Sequence, residues 1–142
     1  RSSDLDLFRL QSNSQHPHGM TDAAYDTLFT TDRPVIFAYH GYPSLIHRLT
    51  YRRANHKHMH VRGYLEEGTT TTPFDMLVRN KMDRFQLVCD VIDLTPGLAT
   101  KPDAVALRAD MTAAHQRHHD WIRNYGEDLP EVRDWSWDVN SA

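Results

Sequence analysis

The sequence has one cysteine, six glycines and no long apolar run, and each shortage excludes something. A single thiol, Cys89, cannot form a disulfide within the chain, which fits a reducing compartment. Its apolar setting, "FQLVCDVIDL", reads as that of a small buried hydrophobe and not of a nucleophile. The glycines form no GxGxxG and no GxxxxGK[ST], so the familiar phosphate cradles are missing. Also missing is Gly-Asp-Gly followed downstream by asparagine, which holds magnesium on the diphosphate in thiamine diphosphate enzymes. No apolar run approaches the roughly 20 residues of a membrane helix, and no signal-peptide pattern opens the chain. The expectation is a soluble, cytoplasmic protein. Positive charge is short as well: Lys+Arg number 16 against 19 Asp+Glu, a net −3. No global field invites nucleic acid, and any anion site must be local.

What is present fits one domain. The chain has 142 residues, 39% of them hydrophobic, which is enough for one core and too few for two comfortable ones. It begins at Arg1 and not at methionine, so a fragment or a cleaved product is expected. The opening "RSSDLDLFRLQ" reads as the end of a truncated strand. Thr21 caps a short helix expected to turn Ala24, Leu28 and Phe29 inward. Val35 to Tyr39, in "RPVIFAYHGYP", is a continuous apolar run of the kind found in strands of parallel sheets. Pro43 starts a helix, "PSLIHRLTYRR", with Leu45 and Leu49 on one face. A second strand follows in "HMHVRGY". From Pro73 the pattern predicts one long helix through "DVIDL", with Asp75, Arg79, Asp83, Gln86, Asp90 and Asp93 on a narrow polar stripe. Asn80, Lys81 and Arg84 fall outside the stripe and are expected to meet another element. A last helix runs from about Asp103 to Asn124 with Leu107, Met111, Ala114, Trp121 and Ile122 on its apolar side. The tail is expected to dock through Trp135 and Trp137. Strand and helix alternate, so the fold predicted is α/β: a three-layer α/β/α arrangement around a small, mainly parallel sheet of three to five strands.

Ligands of such sheets gather beyond the carboxyl ends of the strands, which points to "HGYP" and "RGYLEEGTT". The densest chemistry lies in "YRRANHKHMHVRGY", residues 51–64, with three arginines and three histidines. His56, His58 and His60 alternate and would share one face of a strand, and His115 and His119 lie one helical turn apart. Either set offers imidazoles to zinc, but no cysteine is near and Glu66 and Glu67 lie beyond a turn. Arg48, Arg52, Arg53 and Arg62, with His47 and His60, form a compact basic set if helix and strand pack side by side. Their forked guanidiniums suit phosphates, carboxylates or the acids of a domain interface. Ser44 lacks the G-x-S-x-G frame of a nucleophile.

"PVIFAYHGYP", "IHRLTYRR", "HVRGY", "EEGTTTTPFDM" and "DRF", in this order, resemble the C-terminal domain of the phosphoketolases. "HPHG" and "GEDLPEVRDW" fit too, so the resemblance spans nearly the whole chain; His58 departs from the pattern. It implies a transketolase-like C-terminal α/β domain, preceded in the parent by a diphosphate-binding and a pyrimidine-binding domain and assembled as a homo-oligomer. The parent reaction it implies is phosphate-dependent cleavage of xylulose 5-phosphate or fructose 6-phosphate. The products are acetyl phosphate, water and glyceraldehyde 3-phosphate or erythrose 4-phosphate. Thiamine diphosphate and Mg2+ serve that reaction in the first two domains, so no catalytic or cofactor-binding residue is expected in this chain. His47, Arg48, Arg52, Arg53, His60 and Arg62 are then the candidate interface or anion-binding residues. A regulatory anion-binding module and a His-rich metal-binding domain are the alternatives.

Overall fold

The computed structural model describes residues 6–66, 68 and 70–136. They form two compact units divided between Leu65 and Glu66.

In the first unit the described part of the opening segment, residues 6–11, is not a strand. The Asp6 carboxylate accepts the Phe8 N–H at 3.1 Å and caps a 3-10 turn, Leu7–Leu10, so local capping wins over extension. Residues 1–5 lie outside the described residues. Thr21 caps α1, Asp22–Phe29, by accepting the Ala24 N–H at 3.2 Å. The residue this helix buries is Tyr25, while Ala24 and Leu28 face outward. β1, Val35–Ala38, is followed by α2, Pro43–Thr50, and β2, Met59–Arg62. The strands pair in parallel, Val35 opposite Met59 through Ala38 opposite Arg62, giving a β–α–β unit. Among the described residues the sheet has two strands and not three to five.

Val35, Phe37, Met59 and Val61 turn toward the core of Leu10, Tyr25, Ile46 and Leu49. Alternation leaves Ile36, Ala38, His60 and Arg62 on the other sheet face. Beyond the strands the loops are knitted together: the Tyr64 N–H donates to the Gly41 carbonyl at 2.8 Å. A Cβ on Gly63 would meet that carbonyl oxygen at 2.5 Å, so only glycine permits the approach.

The second unit is helical. Thr72 caps α3, Pro73–Arg79, accepting the Asp75 N–H at 3.3 Å and donating to Asp128 at 2.5 Å. The single long helix expected from Pro73 to Leu94 is instead two. Lys81 takes a left-handed backbone, φ 56°, and Asp83 caps α4, Arg84–Leu94, accepting from Phe85 N at 2.8 Å and Gln86 N at 3.1 Å. The break resets the phase of the faces. Asp75, Asp83 and Asp90 are buried and Val91 is exposed, and of the four acids on the expected stripe Asp93 alone faces solvent. Asn80 is buried, Lys81 exposed, and Arg84 lies over the Phe74 and Phe85 rings.

α5, Pro102–Tyr125, ends at Gly126, φ 71°, whose N–H donates to the Ile122 carbonyl at 2.9 Å. α6, Pro130–Arg133, follows. Leu129, not a tryptophan, is the buried side chain of the tail; Trp135 is 58% exposed and Trp137 lies outside the described residues. No helix among the described residues is long and apolar enough to cross a membrane.

Candidate functional site

α2 is amphipathic in a simple way. Ile46, Leu49 and Thr50 are buried, and 3.6-residue periodicity turns His47 and Arg48 outward. The Leu7–Leu10 turn packs against the same helix, burying Leu10 and leaving Phe8 outside. Between turn and helix lies a cavity of about 770 Å³, walled by Phe8, Gln11, Gln15, His47, Arg48 and Tyr51. Leu45 and Leu49 also line it. Among the described residues no carboxylate lines it and no acid pairs with Arg48. Asp6, close by in sequence, is engaged by His18 Nδ1 at 2.8 Å. The groove therefore presents a free guanidinium, an imidazole, two amides and two aromatic rings, a set that attracts an anion.

The structure divides the remaining basic residues. Arg52 is exposed, its guanidinium 5.3 Å from the Tyr51 ring centroid. Arg53 is 3% exposed. It donates to the Leu10 carbonyl at 2.9 Å, the Met20 carbonyl at 3.0 Å and the Asp22 carboxylate at 2.6 Å, and also to the Gln11 carbonyl. It stacks 4.2 Å from the Tyr25 centroid and spends four of its five N–H donors on these carbonyls and this carboxylate, so it fastens three segments together and is no open ligand site. Burial pushes the Tyr25 hydroxyl above its ordinary pKa; the Arg53 charge opposes this and Asp26 adds to it. His60 and Arg62 sit on the outer face of β2.

The histidines do not share a strand face. His56 and His58 lie in a 3-10 turn, His56–His58, that precedes β2, and His56 Nδ1 sits 2.8 Å from the Arg53 carbonyl. His115 and His119 line a separate cleft of about 390 Å³ with Asp75, Arg79 and Lys81. Among the described residues no three His, Cys, Asp or Glu side chains are grouped to hold a metal ion. In the second unit Asp75 pairs with Arg79 at 2.8 Å, and the fully buried His118 Nε2 stands 3.4 Å from its other carboxylate oxygen. Burial pulls its pKa upward. Hydrogen bonds from Arg79 and Thr71 and the charges of Arg79 and His118 outweigh that and hold it below the ordinary value. Burial raises the Cys89 pKa, with nearby acids adding to it against the opposing Arg108 charge, so the thiol is a poor nucleophile.

Sequence reasoning found His47 and Arg48 but missed Phe8, Gln11, Gln15 and Tyr51. Only tertiary packing of the Leu7–Leu10 turn on α2 brings them together.

Comparison with known proteins covers almost the whole chain. The family described as XFP C-terminal domain matches residues 4–137. A "Probable phosphoketolase" of Streptomyces coelicolor is 64% identical over 135 residues, 95% of this chain and 17% of that protein. Similar proteins with the same description occur in Nitrosomonas europaea, 61% identical over 133 residues, and Chlorobaculum tepidum, 56% over 134. Each alignment covers 94% of this chain and 17% of the relative. The chain thus spans about a sixth of the length of the curated relatives it matches.

Proposed function

The chain belongs to the XFP C-terminal domain family, the C-terminal domain of phosphoketolases, and from that premise we propose that it is a non-catalytic assembly domain of such an enzyme. On this reading the whole enzyme cleaves xylulose 5-phosphate, fructose 6-phosphate or both with inorganic phosphate. It forms acetyl phosphate and glyceraldehyde 3-phosphate or erythrose 4-phosphate in the cytoplasm. Thiamine diphosphate supplies the carbanion chemistry when bound, with Mg2+ on its diphosphate. The donor sets among the described residues do not fit a metal ion, and the reading assigns both groups to the preceding domains.

One observation carries the assembly role. The second unit has an apolar cleft of about 650 Å³ lined by Leu87, Val88, Val91, Ile92, Leu98 and Leu107, with Arg84 and Asp103 also on it. Val91 is 49% exposed and Leu107 43%, a surface fit to be covered by protein. The occupant we propose is the preceding part of the enzyme, which makes up most of the length of each relative, and the finished enzyme is a homo-oligomer. Titrating the chain into a phosphoketolase lacking its own C-terminal domain tests this. The chain is expected to bind, and Val91→Glu with Leu107→Glu to weaken binding by tenfold or more while the chain still melts cooperatively. Failure of the unsubstituted chain to bind overturns the reading.

A second reading, a regulatory anion-binding module, is supported by Arg48. It stands in a cavity with His47 and with no carboxylate partner among the described residues.

A further inference from the structure

We propose that the groove between the Leu7–Leu10 turn and α2 binds a small oxyanion carried on a planar aromatic ring, an aryl phosphate or aryl carboxylate. The inference rests on the anion-binding reading and adds the ring to it. Phe8 is 51% exposed and Tyr51 53%, and both are on the wall of one cavity. Aromatic side chains bring large apolar surfaces, and two left half-open around a cationic centre favour a ring between or against them.

Neither ring dangles. One face of Phe8 stacks on His16, centroids 4.5 Å apart and planes 11° from parallel. Tyr51 is steadied by the Arg52 guanidinium, 5.3 Å from its centroid. His47 and Arg48 line the same cavity, and the planar fork of Arg48 matches two oxygens of a phosphate or carboxylate at once. The Gln11 and Gln15 amides add neutral donors. Among the described residues the lining holds no acid to repel an anion, and the volume of about 770 Å³ suits a small organic molecule. The cleft at Lys81, His115 and His119 is a weaker anion site. It carries Asp75, and Asp120 lies 3.5 Å from His119.

The test titrates the 142-residue chain with inorganic phosphate, phenyl phosphate, benzoate and phenol, following amide chemical shifts. Phenyl phosphate or benzoate is expected to bind about tenfold more tightly than phosphate, the effect of one stacked ring, with the better of the two naming the oxyanion. Phenol is expected not to bind. Arg48→Gln should abolish binding of every anion. Tyr51→Ala should bring the aryl probe down to the affinity of phosphate and leave phosphate unchanged. Both side chains are exposed, so both variants should melt with the parent chain. Equal affinities for phosphate and the aryl probes, or an aryl affinity untouched by Tyr51→Ala, overturn the ring assignment alone. Absence of binding by any anion, or binding indifferent to Arg48→Gln, overturns the anion reading as well.

Discussion

Arg53→Ala is expected to be the most damaging single substitution in the first unit. The side chain is 3% exposed and donates to the carbonyls of Leu10, Gln11 and Met20 and to Asp22. Asp22 contributes little to the loss, because its side chain is 77% exposed and regains water when the partner goes. The Met20 carbonyl keeps a second donor, the Asn13 N–H at 3.1 Å, and so stays satisfied. Leu10 is buried, and its carbonyl loses its side-chain donor at a cost of about 1–3 kcal/mol. The half-buried Gln11 carbonyl adds about 1 kcal/mol. Loss of the guanidinium over Tyr25, out of water, adds about 1–2 kcal/mol. The sum is about 4 kcal/mol, a large part of the 5–15 kcal/mol that holds an ordinary domain together. Arg53→Lys keeps the charge without the fork and should lose about half as much. Arg52→Ala, an exposed neighbour, should stay within about 0.5 kcal/mol. Urea unfolding followed by far-UV circular dichroism measures this. Trp121, Trp135 and Trp137 all lie beyond Leu65, so tryptophan fluorescence does not report on this unit. A loss below 1 kcal/mol for Arg53→Ala, or one equal to that of Arg52→Ala, refutes the reasoning.

Four further outcomes are expected. Asp75→Asn should destabilise the second unit by about 2–3 kcal/mol through loss of the Arg79 pair and the buried His118 contact. Because the Asp75 pKa is lowered by folding, its contribution is complete above the ordinary value of 3.8 and fades as pH falls through the lowered one; acid titration of stability should lose that limb in the variant. Gly63→Ala pushes a Cβ to 2.5 Å from the Gly41 carbonyl oxygen and should cost about 1–3 kcal/mol by thermal melting. Lys81→Gly relieves a left-handed backbone at φ 56° and should raise the melting midpoint, a gain of about 1 kcal/mol. Cys89, its pKa raised by burial, should react with iodoacetamide at pH 7 more slowly than free cysteine, measured by mass spectrometry.

What the sequence showed and what it hid follow from the range of the forces involved. Thr21, Pro43 and Pro73 were legible as helix starts because capping and fixed proline φ act within three residues. β1 was legible from its unbroken apolar run, and β2 from its position after a helix. The break between α3 and α4 was hidden because the apolar pattern runs on across it. Lys81 is no obvious left-handed residue, and Asp83 reads equally well as a stripe member or a cap. Tyr25 displaced Leu28 as the buried residue of α1 because its ring takes the Arg53 cation, a contact across the fold. The arginine cluster was seen as a cluster, but its division into the buried Arg53, the groove residue Arg48 and the strand residue Arg62 depends on packing that no local pattern encodes.

The central claim is that this domain assembles the enzyme and does not perform its chemistry. The direct measurement is acetyl phosphate formation by the purified chain supplied with xylulose 5-phosphate or fructose 6-phosphate, inorganic phosphate, Mg2+ and thiamine diphosphate, captured as the hydroxamate. The account predicts no product above a protein-free blank, and steady turnover proportional to the concentration of the chain contradicts it.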